Sequence, residues 1–247
     1  MTPRPAWLDH AAQEAGRAPH GFFTHGRVAG GGRRRSAVLL LVGPGEAPGE
    51  ETVVLTERSG RLRSHAGQVS FPGGAIDPGD GGPVDAALRE AGEEIGLDRA
   101  GVDVLTTFPP VPVPASDSSV TTVLAWWSNP SPITVTSPVE VARILTIPLA
   151  RFADPAHRIT VTHPVGYHGV GFELDGVFVW GFTAAMLDRL LVLTGLARPW
   201  DAAVTRVLPD RVSGGRPPVV MPPAPASEGD ADPATPAGTE VCGDDVV

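Results

Sequence analysis

The order of apolar runs along the chain predicts an α/β protein built around one hydrophobic core. Residues 37–42 and 52–56 have the composition of strands, and the glycine- and proline-rich stretch between them is typical of a hairpin. Helix formers dominate residues 85–95, where Pro83 suits the first turn and Gly96 the end of a helix. At 247 residues the chain has room for one ordinary domain with appendages.

Two further strands are predicted after this helix, at residues 102–107 and 120–127. The intervening residues 109–119 are too rich in proline and serine to form either element, so we predict a loop. Loops of this kind often shape substrate pockets. Residues 140–145 are short, and their pattern does not decide between helix and strand.

The last third of the chain predicts a hairpin, a closing helix and a tail. Residues 172–180 have the pattern of a hairpin, and residues 183–194 have the apolar spacing of a helix. Proline, alanine, glycine, serine and acids dominate the carboxy-terminal segment, a composition typical of disorder. We therefore predict an N-terminal helical arm and loop (residues 1–35), a folded domain (residues 36–208) and a disordered tail (residues 209–247).

Charge and cysteine content narrow the class of function. The formal net charge is −9, and six acids but no basic residue follow Arg216, so the rest of the chain is nearly balanced. No broad basic surface for nucleic acid is expected. Cys242 is the only cysteine, so any metal would be held by oxygen or imidazole. No secretory signal or membrane-spanning run is recognised, and we expect a soluble cytoplasmic protein without a membrane partner.

The predicted helix at residues 85–95 concentrates acidic side chains on one face. Glu90, Glu93 and Glu94 stand at positions i, i+3 and i+4, which place their carboxylates within a few ångströms of one another. A divalent cation would offset their mutual repulsion, and oxygen-rich sites of this kind suit Mg²⁺ or Mn²⁺. Such an ion would polarise a phosphoryl oxygen. The alternative is an exposed, solvated helix face without chemistry.

The segment before the helix favours a site over a solvated face. Residues 71–74 read Phe-Pro-Gly-Gly and follow a predicted strand, so the backbone there can approach a ligand or metal without a side chain in the way. Gly74, Asp80 and residues 89–97 resemble the Nudix box. Asp80 stands where the general pattern has Glu, and the spacing from Asp80 to Arg89 is one residue longer than in that pattern.

A longer pattern upstream resembles the coenzyme A diphosphatase branch of the Nudix family. Residues 55–59, Arg63, Gly67 and residues 71–74 match that signature at each spaced position. The resemblance implies an α/β fold, a Nudix-type α/β/α sandwich with a mixed β-sheet, for residues 36–208. It implies metal-dependent hydrolysis of a diphosphate bond, in coenzyme A or acyl-CoA, with Mg²⁺ or Mn²⁺. The alternatives are another nucleoside diphosphate derivative, such as ADP-ribose, NADH or a nucleoside triphosphate, and a non-catalytic nucleotide-binding module.

The same resemblance implies roles for the acidic helix. Glu90 and Glu94 would be the principal metal ligands, and the Gly74 carbonyl a further one. Glu93 would bind a second ion or act as the base that activates water. Arg89 would pair with a helix carboxylate and fix its orientation, a role that suits a forked guanidinium.

Other residues are assigned by position alone. Glu140 is a second candidate for the general base, although it is equally an ordinary acid at the start of a helix. Arg58 and Arg63 occupy signature positions and, with the Gly73 backbone, are predicted to bind substrate, one of the arginines holding a 3′-phosphate. The expected partner is a small nucleotide of the coenzyme A type. A homodimer is left open.

Overall fold

The computed structural model describes residues 2–24, 34–61, 66–163 and 167–208. Arg63 and the predicted tail at residues 209–247 lie outside these ranges. The helices are α1 (Ala6–Arg17), α2 (His20–Thr24), α3 (Pro83–Ile95), α4 (Leu149–Ala153) and α5 (Gly181–Leu193). The first strands are β1 (Arg34–Pro44), β2 (Glu51–Arg58), β3 (Val69–Ser70), β4 (Gly73–Ala75), β5 (Val102–Thr107) and β6 (Val111–Val113). The later strands are β7 (Ser118–Trp127), β8 (Val141–Pro148), β9 (Arg158–His163), β10 (Tyr167–Leu174), β11 (Val177–Val179) and β12 (Thr205–Val207).

An eight-stranded sheet forms the centre of the molecule. Its main order is β3-β2-β1-β7-β5, with β4 paired to β1, β6 to β7 and β8 to β2. The predicted hairpin is confirmed, because β1 and β2 are antiparallel neighbours. Strands β1 and β7 run parallel, with Leu39 opposite Val123, so the sheet is mixed.

Each face of this sheet is covered by helices, which confirms the predicted α/β/α sandwich. Side chains of a strand alternate between the two faces. Leu39 and Leu41 of β1 therefore pack in the core beneath α3, whereas Leu40 and Val42 join the larger core that contains residues of α1 and α5. Residues of α1 and α2 are buried in that larger core, including Leu8, Ala11 and Phe23. The boundaries of the three predicted regions stay predictions.

Several element predictions need correction. The proline- and serine-rich residues 109–119 are not purely a loop, because β6 pairs with β7 and a 3₁₀ turn follows at Pro114–Ser116. Proline is tolerated in such a short strand at an edge. Of the ambiguous residues 140–145, all but the first belong to strand β8, so Glu140 precedes a strand and not a helix. A second sheet, in the order β11-β10-β9-β12, was not predicted.

None of the helices in the described ranges combines the length and the apolar character that a bilayer crossing needs.

Candidate active site around helix α3

Helix α3 begins and ends where its sequence signals predict. Pro83 occupies the first turn, where its missing N–H costs no hydrogen bond, and Gly96 ends the helix in the left-handed conformation at φ 66°. The buried face includes Ala87, Ala91 and Ile95, which pack against the sheet. This packing fixes the rotation of the helix, and with it the direction of the carboxylates.

The three predicted carboxylates differ in their exposure. Glu94 is 3% exposed, whereas the side chains of Glu90 and Glu93 are 15% and 59% exposed. Glu94 and Glu90 therefore lie in the interior of the site, and Glu93 lies at its rim.

The two glycines of β4 are required by the close approach of α3 and β1. A Cβ on Gly74 would lie 2.5 Å from the carboxyl carbon of Glu90, and a Cβ on Gly73 would lie 2.4 Å from the carbonyl oxygen of Ala37. Gly73 also has φ 151°, which side chains rarely permit. Its N–H donates to Oε2 of Glu94 over 3.1 Å. Glycine at both positions brings the strand backbone against the carboxylates.

Arg89 connects the acidic helix to the loop before it. Its Nε donates to Asp80 Oδ1 over 2.9 Å and its Nη2 to Asp80 Oδ2 over 3.1 Å. Nη1 donates to Glu90 Oε1 over 3.1 Å and to Glu93 Oε2 over 3.2 Å, and Nη2 donates to the Ala75 carbonyl. The guanidinium thus holds the pKa of Asp80 below its ordinary range. Asp80 is shorter than the Glu that the general box pattern has at this position, but it still makes a bidentate pair with Arg89.

Burial without enough counter-charge sets the electrostatics of the site. Desolvation raises the pKa of Glu94 to about 7, and the charges of Glu90 and Glu140 add to the rise. The Gly73 N–H and the charge of Arg58 oppose it. Desolvation also raises the pKa of Glu90, with Glu93 and Glu140 adding to the rise and Arg89 opposing it.

Glu140 is brought to α3 by the segment that precedes it. Thr136 donates its N–H to the Glu94 carbonyl over 3.0 Å and its hydroxyl to the Glu93 carbonyl over 2.6 Å. The Glu140 carbonyl in turn accepts from the N–H of Ser59 over 2.7 Å. The segment therefore satisfies helix carbonyls that α3 leaves open and ends beside β2. We call Glu90, Glu94 and Glu140 the carboxylate cluster.

The donor set of this cluster fits a hard divalent cation. Its groups are carboxylate oxygens, and the largely buried Glu90 and Glu94 carry an excess of negative charge that a cation would neutralise. In the described part of the chain, however, no three Asp, Glu, His or Cys side chains already stand in an arrangement that would hold an ion. Arg89 draws Glu93 toward the rim, which separates that carboxylate from Glu94.

A cavity of about 380 Å³ adjoins the carboxylate cluster. Gly73 and Gly74 belong both to its wall and to the contacts of Glu94 and Glu90. The wall is formed by residues of β1, β2, β3, β4, β6, β7 and α5, together with the loops that flank them: Arg34, Ser36, Val38, Arg58, Gln68, Val69, Ser70, Phe71, Gly73, Gly74, Ala75, Pro112, Val113, Ser116, Ser118, Val120, Trp180, Gly181, Phe182 and Thr183.

The structure brings most of the predicted site residues together. Glu90, Glu94 and Glu140 interact electrostatically, and Arg58 acts on Glu94 from the cavity wall. The position of Arg63 is outside the described ranges. Sequence reasoning missed the contribution of β1, whose Arg34 lies far from the box along the chain. Period-2 alternation within β1 was the available signal, because Arg34, Ser36 and Val38 share one face.

Comparison with known proteins identifies the class. The family model described as NUDIX domain matches residues 32–159, a little over half of the chain. The chain therefore belongs to the Nudix family, as its box predicts, and it is a Nudix hydrolase that acts on a nucleoside diphosphate derivative. Members of this family generally use divalent metal ions.

Within that family the chain is similar to proteins named NudL, which are described as uncharacterized Nudix hydrolases. The Citrobacter koseri protein is 37% identical over 171 residues, covering 66% of this chain and 84% of its own length. The Escherichia coli protein is 35% identical over 166 residues, with the same two coverages.

Among solved structures, the Nudix hydrolase RenU of M. smegmatis is 22% identical with a TM-score of 0.49, covering 68% of this chain and 90% of its own. The NUDIX domain of Shewanella oneidensis NrtR, solved with ADP-ribose, is 19% identical with a TM-score of 0.38, covering 47% of this chain and 73% of its own. Membership of the family rests on the sequence match.

Proposed function

We propose that this Nudix hydrolase cleaves the diphosphate bond of coenzyme A or an acyl-CoA, with Mg²⁺ or Mn²⁺ as cofactor. The products would be 3′,5′-ADP and the corresponding 4′-phosphopantetheine. One observation carries the proposal: the signature that resembles the coenzyme A branch, at residues 55–59 and 71–74, runs directly into the cavity wall at Arg58 and Gly73.

Glu90 and Glu94, with the Gly74 carbonyl, are the groups that would hold the divalent ion. When bound, the ion supplies neutralisation of the charge that develops on the phosphoryl oxygens. Arg89 keeps Glu90 in place through its Nη1, at 3.1 Å, while its Nε and Nη2 are anchored on Asp80. Because Arg89 is anchored on Asp80, it can orient Glu90 as a metal ligand without touching substrate.

Arg58 is assigned to the diphosphate. Its charge acts on Glu94, and it contributes to the cavity wall, so it lies beside the carboxylate cluster. Its Nε is buried and has no hydrogen-bond partner among the described residues. A phosphate oxygen would satisfy this donor and gain a charge-assisted hydrogen bond.

Glu140 is the better placed of the two candidate bases. Glu93 is 59% exposed and already accepts from Arg89, so its carboxylate is engaged at the rim. Glu140 is also exposed, but among the described residues its carboxylate makes no hydrogen bond or ion pair, and its charge acts on both Glu90 and Glu94. A carboxylate there would accept the proton of a water that attacks phosphorus in line with the departing phosphate.

Product analysis tests this proposal. The purified full chain is incubated with coenzyme A, acetyl-CoA, ADP-ribose and NADH, each with Mg²⁺ and with Mn²⁺, and kcat/KM is measured for each. We expect the two coenzyme A compounds to give the highest kcat/KM and to yield 3′,5′-ADP. A higher kcat/KM for ADP-ribose or NADH would reject the coenzyme A assignment and leave the family assignment intact. Glu94→Gln, measured in parallel, identifies contaminating activity.

A further inference from the structure

One strand of the central sheet forms part of the cavity floor and carries an arginine at its far end. Arg34, Ser36 and Val38 of β1 all contribute to the cavity wall, as alternate residues on one face of a strand should. At the other end of this row, Val38 is paired with Gly73 and Ala37 with Gly74, next to the carboxylate cluster. The row therefore runs from the cluster to Arg34.

The Arg34 side chain is free to bind a ligand. Its backbone N–H donates to the Asp117 carbonyl over 3.1 Å, but its guanidinium makes no hydrogen bond or ion pair with any other described residue. It is exposed at the cavity wall, beside Ser118, its partner across the β1 and β7 pairing. Five donors in a rigid fork are thus available there.

The cavity has a basic group at each end and apolar side chains in its wall. Arg58 acts on Glu94 at one end, and Arg34 lies at the other. Val69, Val120 and Phe182 contribute apolar side chains to the same wall. Arg34 lies three positions before Ala37 in β1, which at a strand's rise per residue is about 10 Å. A ligand that uses both ends needs two anionic groups joined by a less polar part.

We infer that Arg34 binds a second anionic group of the substrate, a phosphate on the ribose, at a distance from the diphosphate that is cleaved. This inference rests on the proposed function, since it takes the Gly73 end of the cavity as the diphosphate site. The signature alone predicts Arg58 or Arg63 for the 3′-phosphate. The charge of Arg58 acts on Glu94, which assigns Arg58 to the diphosphate, whereas the Arg34 backbone lies about 10 Å along β1 from Ala37.

A phosphate on Arg34 would change the selectivity of the enzyme and not its chemistry. A guanidinium binds phosphate through two parallel hydrogen bonds. Loss of such a charge-assisted contact weakens binding by roughly tenfold or more. The main loss should fall on binding, because Arg34 stands three positions along β1 from Ala37, which pairs with Gly74 beside the cluster.

Binding of two small nucleotides isolates this contact from catalysis. Isothermal titration calorimetry with Mg²⁺ measures Kd for 3′,5′-ADP and for 5′-AMP, which differ only in the 3′-phosphate. The full chain should bind 3′,5′-ADP more tightly, by about tenfold. Arg34→Ala should remove this preference, and Arg34→Lys should restore only part of it. The matched control is Arg35→Ala, which removes an exposed arginine from the opposite face of the same strand.

Each outcome decides the inference. Equal Kd values for the two nucleotides in the unmodified chain, absence of binding, or a preference that survives Arg34→Ala would overturn it. Loss of the preference in Arg63→Ala or Arg35→Ala instead would also overturn it. Hydrolysis of coenzyme A is measured separately on the same preparations. Its absence would reject the proposed function, while the calorimetric comparison would still decide whether Arg34 recognises the 3′-phosphate.

Discussion

Two clusters of buried charge lie on different sides of this molecule, and their surroundings differ. The carboxylate cluster gathers acids at the end of α3. The second, which we call the arginine cluster, contains Arg158 of β9 with Asp188 and Arg189 of α5, all at most 3% exposed. Asp188 accepts from Nη2 of Arg158 and, over 3.0 Å, from Nη1 of Arg189. One carboxylate therefore serves two buried guanidinium groups.

The arginine cluster combines its carboxylate with aromatic and backbone contacts, although Nε and Nη1 of Arg158 have no hydrogen-bond partner among the described residues. The Arg158 guanidinium lies 5.5 Å from the ring centre of Phe172 and 5.3 Å from that of Trp200, so it makes cation–π interactions with both rings. Arg189 donates from Nε to the Phe22 carbonyl over 2.7 Å. Desolvation lowers the pKa of Arg189, and Asp188 opposes that shift. Strand β9 and helices α2 and α5 are connected through these contacts.

Among the described residues, the carboxylate cluster has no comparable supply of counter-charge. Arg89 divides its donors between Asp80, Glu90 and Glu93, and the pKa of Glu94 still rises to about 7. Burial of charge alone therefore does not identify a functional site. The distinguishing feature is a charge that needs a partner from outside the chain, next to a cavity through which that partner can enter.

Removal of the single carboxylate of the arginine cluster should have the largest effect on stability. Asp188→Asn keeps the volume but removes the negative charge that two buried guanidinium groups share, so we expect the free energy of unfolding to fall by about 3 to 5 kcal/mol. Urea denaturation measures the loss. Glu173→Gln, which breaks the exposed ion pair with Arg206, is the control and should cost less than about 1 kcal/mol. Similar losses in both variants would contradict the comparison.

The same type of substitution in the carboxylate cluster should remove activity and preserve the fold. Glu94→Gln deletes a ligand charge at constant volume, and we expect kcat to fall by more than about a hundredfold, since loss of groups that merely orient metal ligands already costs about 10- to 100-fold. Steady-state kinetics with Mg²⁺ and far-UV circular dichroism measure the two properties. Near-normal turnover in a folded variant would remove Glu94 from the metal site.

The pH dependence of stability should show that the Glu94 carboxylate is not neutralised by nearby charge in metal-free protein. Its folded pKa of about 7 exceeds its ordinary value of 4.5, so the folded state binds the proton more tightly than the unfolded state. Stability is therefore greatest below pH 4.5 for this group and falls as pH rises toward 7, by up to roughly 3 kcal/mol.

Denaturant unfolding in EDTA at pH 5 and pH 8 measures this loss. Glu94→Gln cannot titrate, so it should lose less stability than the unmodified chain between the two pH values and should be the more stable protein at pH 8. An equal loss of stability between pH 5 and pH 8 in the two proteins would show that Glu94 is already neutralised by the chain itself.

Local sequence signals predicted the helix that carries the chemistry. Pro83 and Gly96 bound α3 because a first-turn proline and a left-handed glycine act within a few residues of the chain. The spacing of Glu90, Glu93 and Glu94 predicted their shared face for the same reason. The difference in burial between Glu93 and Glu94 did not follow from spacing, since it depends on Arg89 and on β4.

Contacts between distant segments could not be predicted in this way. Strand β12 is exposed and three residues long, so it carries no apolar pattern of its own. Arg34 joins the cavity only because β1 pairs with β4 and β7. The bond from Thr136 to Glu93 spans 43 residues, and nothing in either segment indicates the other.

Removal of the hydrogen bond from the Thr136 hydroxyl to the Glu93 carbonyl should have the smallest effect on activity, and it is the most specific test of how the carboxylate cluster is positioned. Thr136→Val removes the hydroxyl that donates to the Glu93 carbonyl at 2.6 Å, while the N–H of residue 136 still donates to Glu94. The segment that leads to Glu140 should then sit less firmly on α3. We expect kcat to fall by about fivefold to tenfold, with KM for coenzyme A unchanged, because substrate contacts are not altered.

Thr136→Ser keeps the hydroxyl and should restore kcat, although it lacks the methyl group that lies 3.3 Å from the Cβ position of Gly96. A purely structural role for Thr136 predicts a different pattern, in which Thr136→Val lowers the melting temperature but leaves kcat unchanged at 25 °C. The acidic limb of the pH–rate profile also distinguishes a role in positioning Glu140 from a purely structural role of Thr136. If Glu140 is the base, displacing it alters that limb in Thr136→Val and not in Thr136→Ser, whereas an unchanged limb in both would assign proton transfer to another group.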